Sequence, residues 1–224
     1  MNSQIATVVE MIPPVREQAA AALELADQLV RAVGGRLRDI ARRARRHASG
    51  EAGALLLLTG NRGRVGTSTL ALALAQAAAA EMSVLLIDAD LGGAGLSQKL
   101  CGRVTLGWEE ALRGRCSFAQ PLRYADPQRL VALLPLKQPV DDPNDLLAKP
   151  ALRVWMSQHR NDFDLVILDG GSLFGTGARW AAWCDASILV CDARHTPDHA
   201  PCWDLLEEEG CQVLGIIETF SDEA

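Results

Sequence analysis

Two kinds of hydrophobic pattern divide the chain. Up to residue 52 the apolar positions recur at helical spacing: Ala22, Leu25, Ala26, Leu29, Val30 and Val33 form one stripe after Pro13-Pro14. Gly34-Gly35 interrupts that stripe and an arginine-rich segment follows, with seven arginines from Arg31 to Arg46. Ala48-Ser49-Gly50 reads as a linker. From residue 53 onward, short apolar runs alternate with helical stretches. The runs at 54–59, 84–88, 130–134, 165–168, 187–191 and 213–217 predict strands. Most are continuously apolar rather than alternating, which predicts strands buried on both faces of a parallel sheet. The fold expected is α/β, a doubly wound and mostly parallel sheet with an N-terminal helical extension. The expected units are an arm, 1–52, and an α/β domain, 53–224.

Composition narrows the class. A chain of 224 residues, 49% hydrophobic, suits one such domain plus an extension. No apolar run reaches the roughly 18 residues of a membrane span, and the first ten residues lack a basic leader, so a cytoplasmic protein is expected. The net charge of −6 argues against a specific nucleic-acid partner. Lys99, Lys137 and Lys149 are the only lysines, so nearly all positive charge is arginine. The six cysteines form no CxxC pair and read as reduced thiols.

The chemistry begins at Gly60-Asn61-Arg62-Gly63-Arg64-Val65-Gly66-Thr67-Ser68-Thr69. An apolar strand leads into this segment and an Ala/Leu-rich helix at 70–80 follows, which is the setting of a phosphate-binding loop. Gly63, Arg64, Val65, Gly66, Thr67, Ser68 and Thr69 would present backbone N–H groups to phosphate, and Ser68 is placed to ligate Mg²⁺. Position 67, where the motif carries a lysine that reaches the β- and γ-phosphates, is threonine. A second apolar run ends in Asp88-Ala89-Asp90 and a third in Asp169-Gly170-Gly171. Strand ends of a parallel sheet face the ligand, which brings these carboxylates to the loop. Asp88, Asp90 and Asp169 are the catalytic candidates, and Ser68, Asp88 and Asp169 the metal candidates.

On these residues the chain resembles the cytoplasmic domain of bacterial tyrosine kinases of capsule and exopolysaccharide systems, within the deviant-Walker P-loop ATPase group. That family pattern is a GxGK(S/T)T-like loop, then LLIDADLRRP, NPAELL, DLVIIDTPP and GVVLN. The counterparts here are Gly66-Thr67-Ser68-Thr69, the segment 85–91, Asn144-Asp145-Leu146-Leu147, the segment 164–170, and Leu214-Gly215-Ile216-Ile217. The resemblance implies a P-loop NTPase-like fold, ATP or ADP with Mg²⁺, second-Walker roles for Asp88 and Asp90, and the Walker B role for Asp169. Asp39-Ile40-Ala41-Arg42-Arg43-Ala44-Arg45 resembles the family's ExxRxxR oligomerisation helix with Asp for Glu, which implies a homo-oligomer. A membrane-bound polysaccharide-export partner is implied as well, with the chain peripheral at the inner membrane.

The departures cluster at the site. Arg62 stands where the deviant class has its signature lysine, Arg64 replaces a glycine, and Gly92-Gly93 replaces Arg-Arg. Gly170-Gly171-Ser172 replaces threonine and prolines, and Glu218-Thr219 stands where an asparagine reads adenine. Tyr124 is the single tyrosine and no tyrosine cluster follows Phe220, so tail autophosphorylation is not expected. The expected role is therefore nucleotide-dependent regulation or scaffolding in a degenerate member. The alternatives are an active kinase or ATPase with a relocated phosphate cation, and a pilus-type polar localisation factor. Cys191, His195, His199 and Cys202 have spacing that could suggest zinc, but two buried thiols and two surface histidines are expected there. Trp180 and Trp183 are expected in packing.

Overall fold

The computed structural model describes residues 17–48, 52–126, 128, 130–195 and 199–220. Within them lie strands β1 (Ala54–Gly60), β2 (Val84–Asp88), β3 (Arg123–Tyr124), β4 (Val131–Leu134), β5 (Leu165–Ser172), β6 (Ala186–Asp192) and β7 (Gln212–Thr219). The helices are α1 (Glu17–His47), α2 (Thr67–Ala78), α3 (Gly95–Cys101), α4 (Trp108–Leu112), α5 (Pro143–Leu147), α6 (Pro150–Asp162), α7 (Ala178–Ala181) and α8 (Ala200–Glu208). A π-helical turn, Leu173–Gly177, joins β5 to α7. All strands form one sheet, ordered β3-β4-β2-β5-β1-β6-β7, and every pairing is parallel except β3 with β4. The six expected strands are present, each within a few residues of its expected bounds. Two-residue β3 is too short to leave a pattern in the sequence, and its pairing with β4 is its whole definition.

The continuous apolar runs are explained by two cores on opposite faces. Along β1, Leu55 and Leu57 point to one and Leu56 and Leu58 to the other, the period-two alternation of a strand. Along β2 and β5 the same alternation divides Leu85 and Ile87 from Val84 and Leu86, and Val166 and Leu168 from Leu165 and Ile167. The first core carries residues of α4–α8, and the second carries residues of α1, α2 and α3. Burying both faces takes apolar surface out of water and stabilises the fold by about 25 cal/mol per Å², the main force holding the layers together.

The interruption expected at Gly34-Gly35 is present one residue earlier: α1 is two helical stretches that meet at a kink at Val33, whose φ of −132° and ψ of 17° are non-helical. Ala26, Leu37, Ala41 and Ala44 are buried against the α2 side of the sheet. Small side chains there let the two helix backbones approach closely. Arg42 grips Glu81 with two hydrogen bonds, Nε to Oε2 at 2.9 Å and Nη2 to Oε1 at 2.7 Å, and Arg38 lies 3.6 Å from the same carboxylate. The acidic run on α8, by contrast, belongs to the opposite face, where Cys202 and Leu206 join the other core. Of the linker, Ser49 and Gly50 lie outside the described residues, as do Pro13 and Pro14.

Candidate functional site

The loop between β1 and α2 leads into a helix start without a side-chain cap. Gly66 caps α2 with φ of 91°, a left-handed conformation that any side chain would strain, and no side chain caps the helix. Its first-turn N–H groups are therefore available to an anion, and no acidic residue opposes one in that turn. Arg64 also has positive φ, 63°, a backbone shape that ordinarily favours glycine. Thr67 is buried, and Ser68 sits half-buried at the start of the helix.

Sheet register brings the carboxylates to this loop. Asp88 ends β2 directly beside Asp169 of β5, and Leu58, near the end of β1, pairs with Asp169 on its other side. Continuing the two-residue alternation, Asp88 and Asp169 fall on the same face as Leu86, Ile167 and Leu58, the face covered by α2. Both are fully buried. Asp88 is well supplied: Ser97 donates to Oδ2 from its amide at 2.7 Å and its hydroxyl at 2.6 Å, and the Asp90 amide reaches Oδ1 at 3.3 Å. Asp169 is not. Its Oδ1 receives a long bond of 3.4 Å from the Gly171 amide, the Ser68 hydroxyl lies near the carboxylate, and Oδ2 is buried with no hydrogen-bond partner of good geometry. Burial, and the charge each feels from the other carboxylates, raise the pKa of both groups above the ordinary range. The Ser68 hydroxyl, on the Asp169 side, pulls in the opposite direction.

Asp90 lies at the rim. Burial raises its pKa, and amide hydrogen bonds from Gly92 and Gly93 draw it back. Gly171, at φ of 62°, could not be another residue without collision, since a Cβ there would come within 2.4 Å of the Asp90 carboxyl carbon. The glycine at 171 thus makes room for the Asp90 side chain. Below the carboxylates three buried tryptophans form a base. Trp108 Nε1 donates to the Asp88 carbonyl at 2.9 Å and Trp180 Nε1 to the Ala89 carbonyl at 2.8 Å. Trp108 stacks on Trp155 with centroids 5.1 Å apart and meets Trp180 edge-on at 5.9 Å. Both Trp180 and Trp183 are in packing as expected, Trp180 buried and Trp183 partly so, with the Arg153 guanidinium carbon 5.4 Å from the Trp183 ring centre.

Arg62 does not reach toward Asp169. Its guanidinium contacts Asp192 at the end of β6 and lies 2.8 Å from His195 Nδ1. Arg194 holds the same carboxylate through Nε at 2.9 Å and Nη2 at 2.8 Å, and these hydrogen bonds keep the Asp192 pKa far below the usual range. Thr219, at the position expected to read adenine, is turned to another use. Its hydroxyl lies 2.7 Å from the Val65 carbonyl and 3.0 Å from that of Cys191, tying β7 to the loop.

The cysteine–histidine set does not converge. Cys191 and Cys202 are buried, and His199 Nδ1 sits 3.3 Å from Cys191 Sγ, but His195 faces Asp192 and Arg62 with 60% of its side chain exposed. Among the described residues no group of three or more potential ligands forms a metal cluster. Ser97, Asp192 and Trp108 were not legible beforehand as site residues, because each acts through a partner distant in sequence. A hint existed for Trp108: a buried indole N–H needs an acceptor.

The chain matches no protein-family model. It is 30% identical over 152 residues to the succinoglycan biosynthesis transport protein ExoP of Rhizobium meliloti, a match covering 64% of this chain and 19% of that protein. The chain thus spans about a fifth of that relative's length. Among solved structures, the VpsO kinase domain superposes with a TM-score of 0.71 at 21% identity, covering 92% of this chain and 98% of that one. The BceF tyrosine kinase domain gives 0.71 at 19%, covering 93% and 90%. The septum site-determining protein MinD of Pyrococcus horikoshii, solved with Mg-ADP, gives 0.56 at 20%, covering 77% and 72%. The fold is that of bacterial tyrosine kinase domains and MinD-like P-loop proteins.

Proposed function

We propose that this chain binds a magnesium-complexed adenine nucleotide, ATP or ADP, and acts as a nucleotide-controlled regulatory or scaffolding component of an envelope exopolysaccharide synthesis or export system. The observation that carries binding is Asp169 Oδ2, a buried carboxylate oxygen without a donor beside an uncapped helix start. Leaving such an oxygen unsatisfied costs about 1–3 kcal/mol, or more when charged, and a cation offsets that cost. A hydroxyl and carboxylates suit Mg²⁺, a hard ion that prefers oxygen, so Ser68 and Asp169 would hold it with Asp88 behind. Bound there, Mg²⁺ neutralises phosphate charge. The N–H groups of 63–69 would orient the phosphates, and Asp90 at the rim is available to position an attacking group.

Turnover is a different matter. Thr67 offers a hydroxyl where phosphoryl transfer requires charge to be offset, and Arg62 is committed to Asp192. Binding with little or no catalysis follows. The pathway rests on the identity to ExoP and the likeness to the two kinase domains. Among the described residues no helix is long and apolar enough to cross a membrane. In this reading the chain is cytoplasmic, self-associates through α1, and meets the inner membrane through an export partner.

Isothermal calorimetry tests the binding claim. Mg-ATP at millimolar concentration should give heat that vanishes with EDTA and weakens in Asp169→Ala. With threonine rather than lysine at position 67, affinity should lie roughly ten- to a hundredfold below that of a loop whose own lysine grips the phosphates. No heat from the wild-type protein would make the loop a relic.

A further inference from the structure

We infer that Lys99, on α3, supplies from the side the ammonium that the loop lacks at position 67, and that it faces the terminal phosphate of a nucleoside triphosphate. The inference rests on the nucleotide reading above and adds the residue that replaces the missing lysine. Lys99 lines a cleft of about 10 Å³, room for one water, together with Ser68 and Thr69 of α2 and the apolar side chains of Ala22, Leu72, Leu96 and Leu100. The first turn of α3 abuts the loop, since a Cβ on Gly95 would stand 4.0 Å from Ser68 Oγ. The helix is pinned in that place. Ser97 makes its two short bonds to Asp88 and accepts from the Leu136 amide at 2.8 Å, so a change in α3 position would break three buried hydrogen bonds.

The charge inventory points the same way. Lys137 lies 3.6 Å from Glu110 and Lys149 lies 3.1 Å from Asp145. Among the described residues Lys99 has no ion-pair partner, and its side chain is exposed. Arg62 is held by Asp192. Arg64 is exposed on the loop but does not line the cleft with Ser68. A lysine carries a compact charge on a flexible four-carbon stem, so it can swing to a phosphate without backbone movement.

The experiment compares wild type, Lys99→Met, Lys99→Gln, Arg64→Ala and the pair Thr67→Lys/Lys99→Met, with melting curves establishing that each is folded. Each is titrated calorimetrically with Mg-ADP and with the Mg complex of a non-hydrolysable β,γ-imido ATP analogue. Loss of Lys99 by either substitution should weaken the triphosphate analogue roughly tenfold or more and ADP less. Adding Thr67→Lys to Lys99→Met should recover most of that loss, because one ammonium then replaces another at the same charge. Wild-type affinity for the analogue in both Lys99 variants would overturn the assignment while leaving the nucleotide reading intact. So would a loss that appears only in Arg64→Ala. If the wild-type protein binds neither nucleotide, the underlying reading fails and this assignment with it.

Discussion

His159 has both ring nitrogens buried without a hydrogen-bond partner, and its ring meets Trp155 edge-on at 4.8 Å. Burial lowers its pKa from 6.5 to about 4, against the weaker opposing charge of Asp162. The unfolded chain therefore takes up a proton near pH 6.5 that the folded chain refuses until about pH 4. Stability contributed by neutral His159 is present above pH 6.5 and is lost as pH falls toward 4. In His159→Leu the thermal midpoint should vary less over that interval than in wild type, as read by circular dichroism; an unchanged slope contradicts the assignment. The site residues carry a related lesson. Gly66, Ser68 and Asp169 were legible because their types and spacing are dictated by what they would bind. Thr219 and Arg62 were not, because the hydroxyl that braces Val65 and the guanidinium that grips Asp192 choose partners far away in the chain.

Among the elements, the central strands were legible because burial on both faces leaves an uninterrupted apolar run. The break in α1 was legible too. Two adjacent glycines weaken a helix by about 1 kcal/mol each relative to alanine, and the regular geometry fails beside them at Val33, while packing against α2 buries residues on both sides of the kink. Ala41 is wholly buried in that contact, whereas Arg36 on the same helix is exposed. Ala41→Leu should force the helices apart and cost about 1–3 kcal/mol, while Arg36→Ala should change stability by less than about 0.5 kcal/mol. Urea denaturation of the two variants measures the difference. Equal effects would mean that α1 contributes little to the fold.

For the whole molecule, α1 lays a basic surface over an acidic chain of net charge −6. Arg42 and Arg38 are partly balanced by Glu81, but Arg31, Arg36 and Arg46 are exposed and make no ion pair among the described residues. Under the proposed self-association these three meet an acidic surface of a second copy. Such contacts are screened within about 8–10 Å at ordinary salt. Light scattering at low salt should give a mass above the monomer that falls as salt rises, and Arg31, Arg36 and Arg46 together changed to Ala should give the monomer throughout. A mass unaffected by salt or by these substitutions removes α1 as the contact. The central claim concerns the loop, and a crystal of the protein grown with saturating Mg-ADP tests it most directly. The account predicts a diphosphate on the backbone N–H groups of 63–69 and a metal ion between Ser68 and Asp169. Density for nucleotide elsewhere, or a loop empty at saturating ligand, would contradict it.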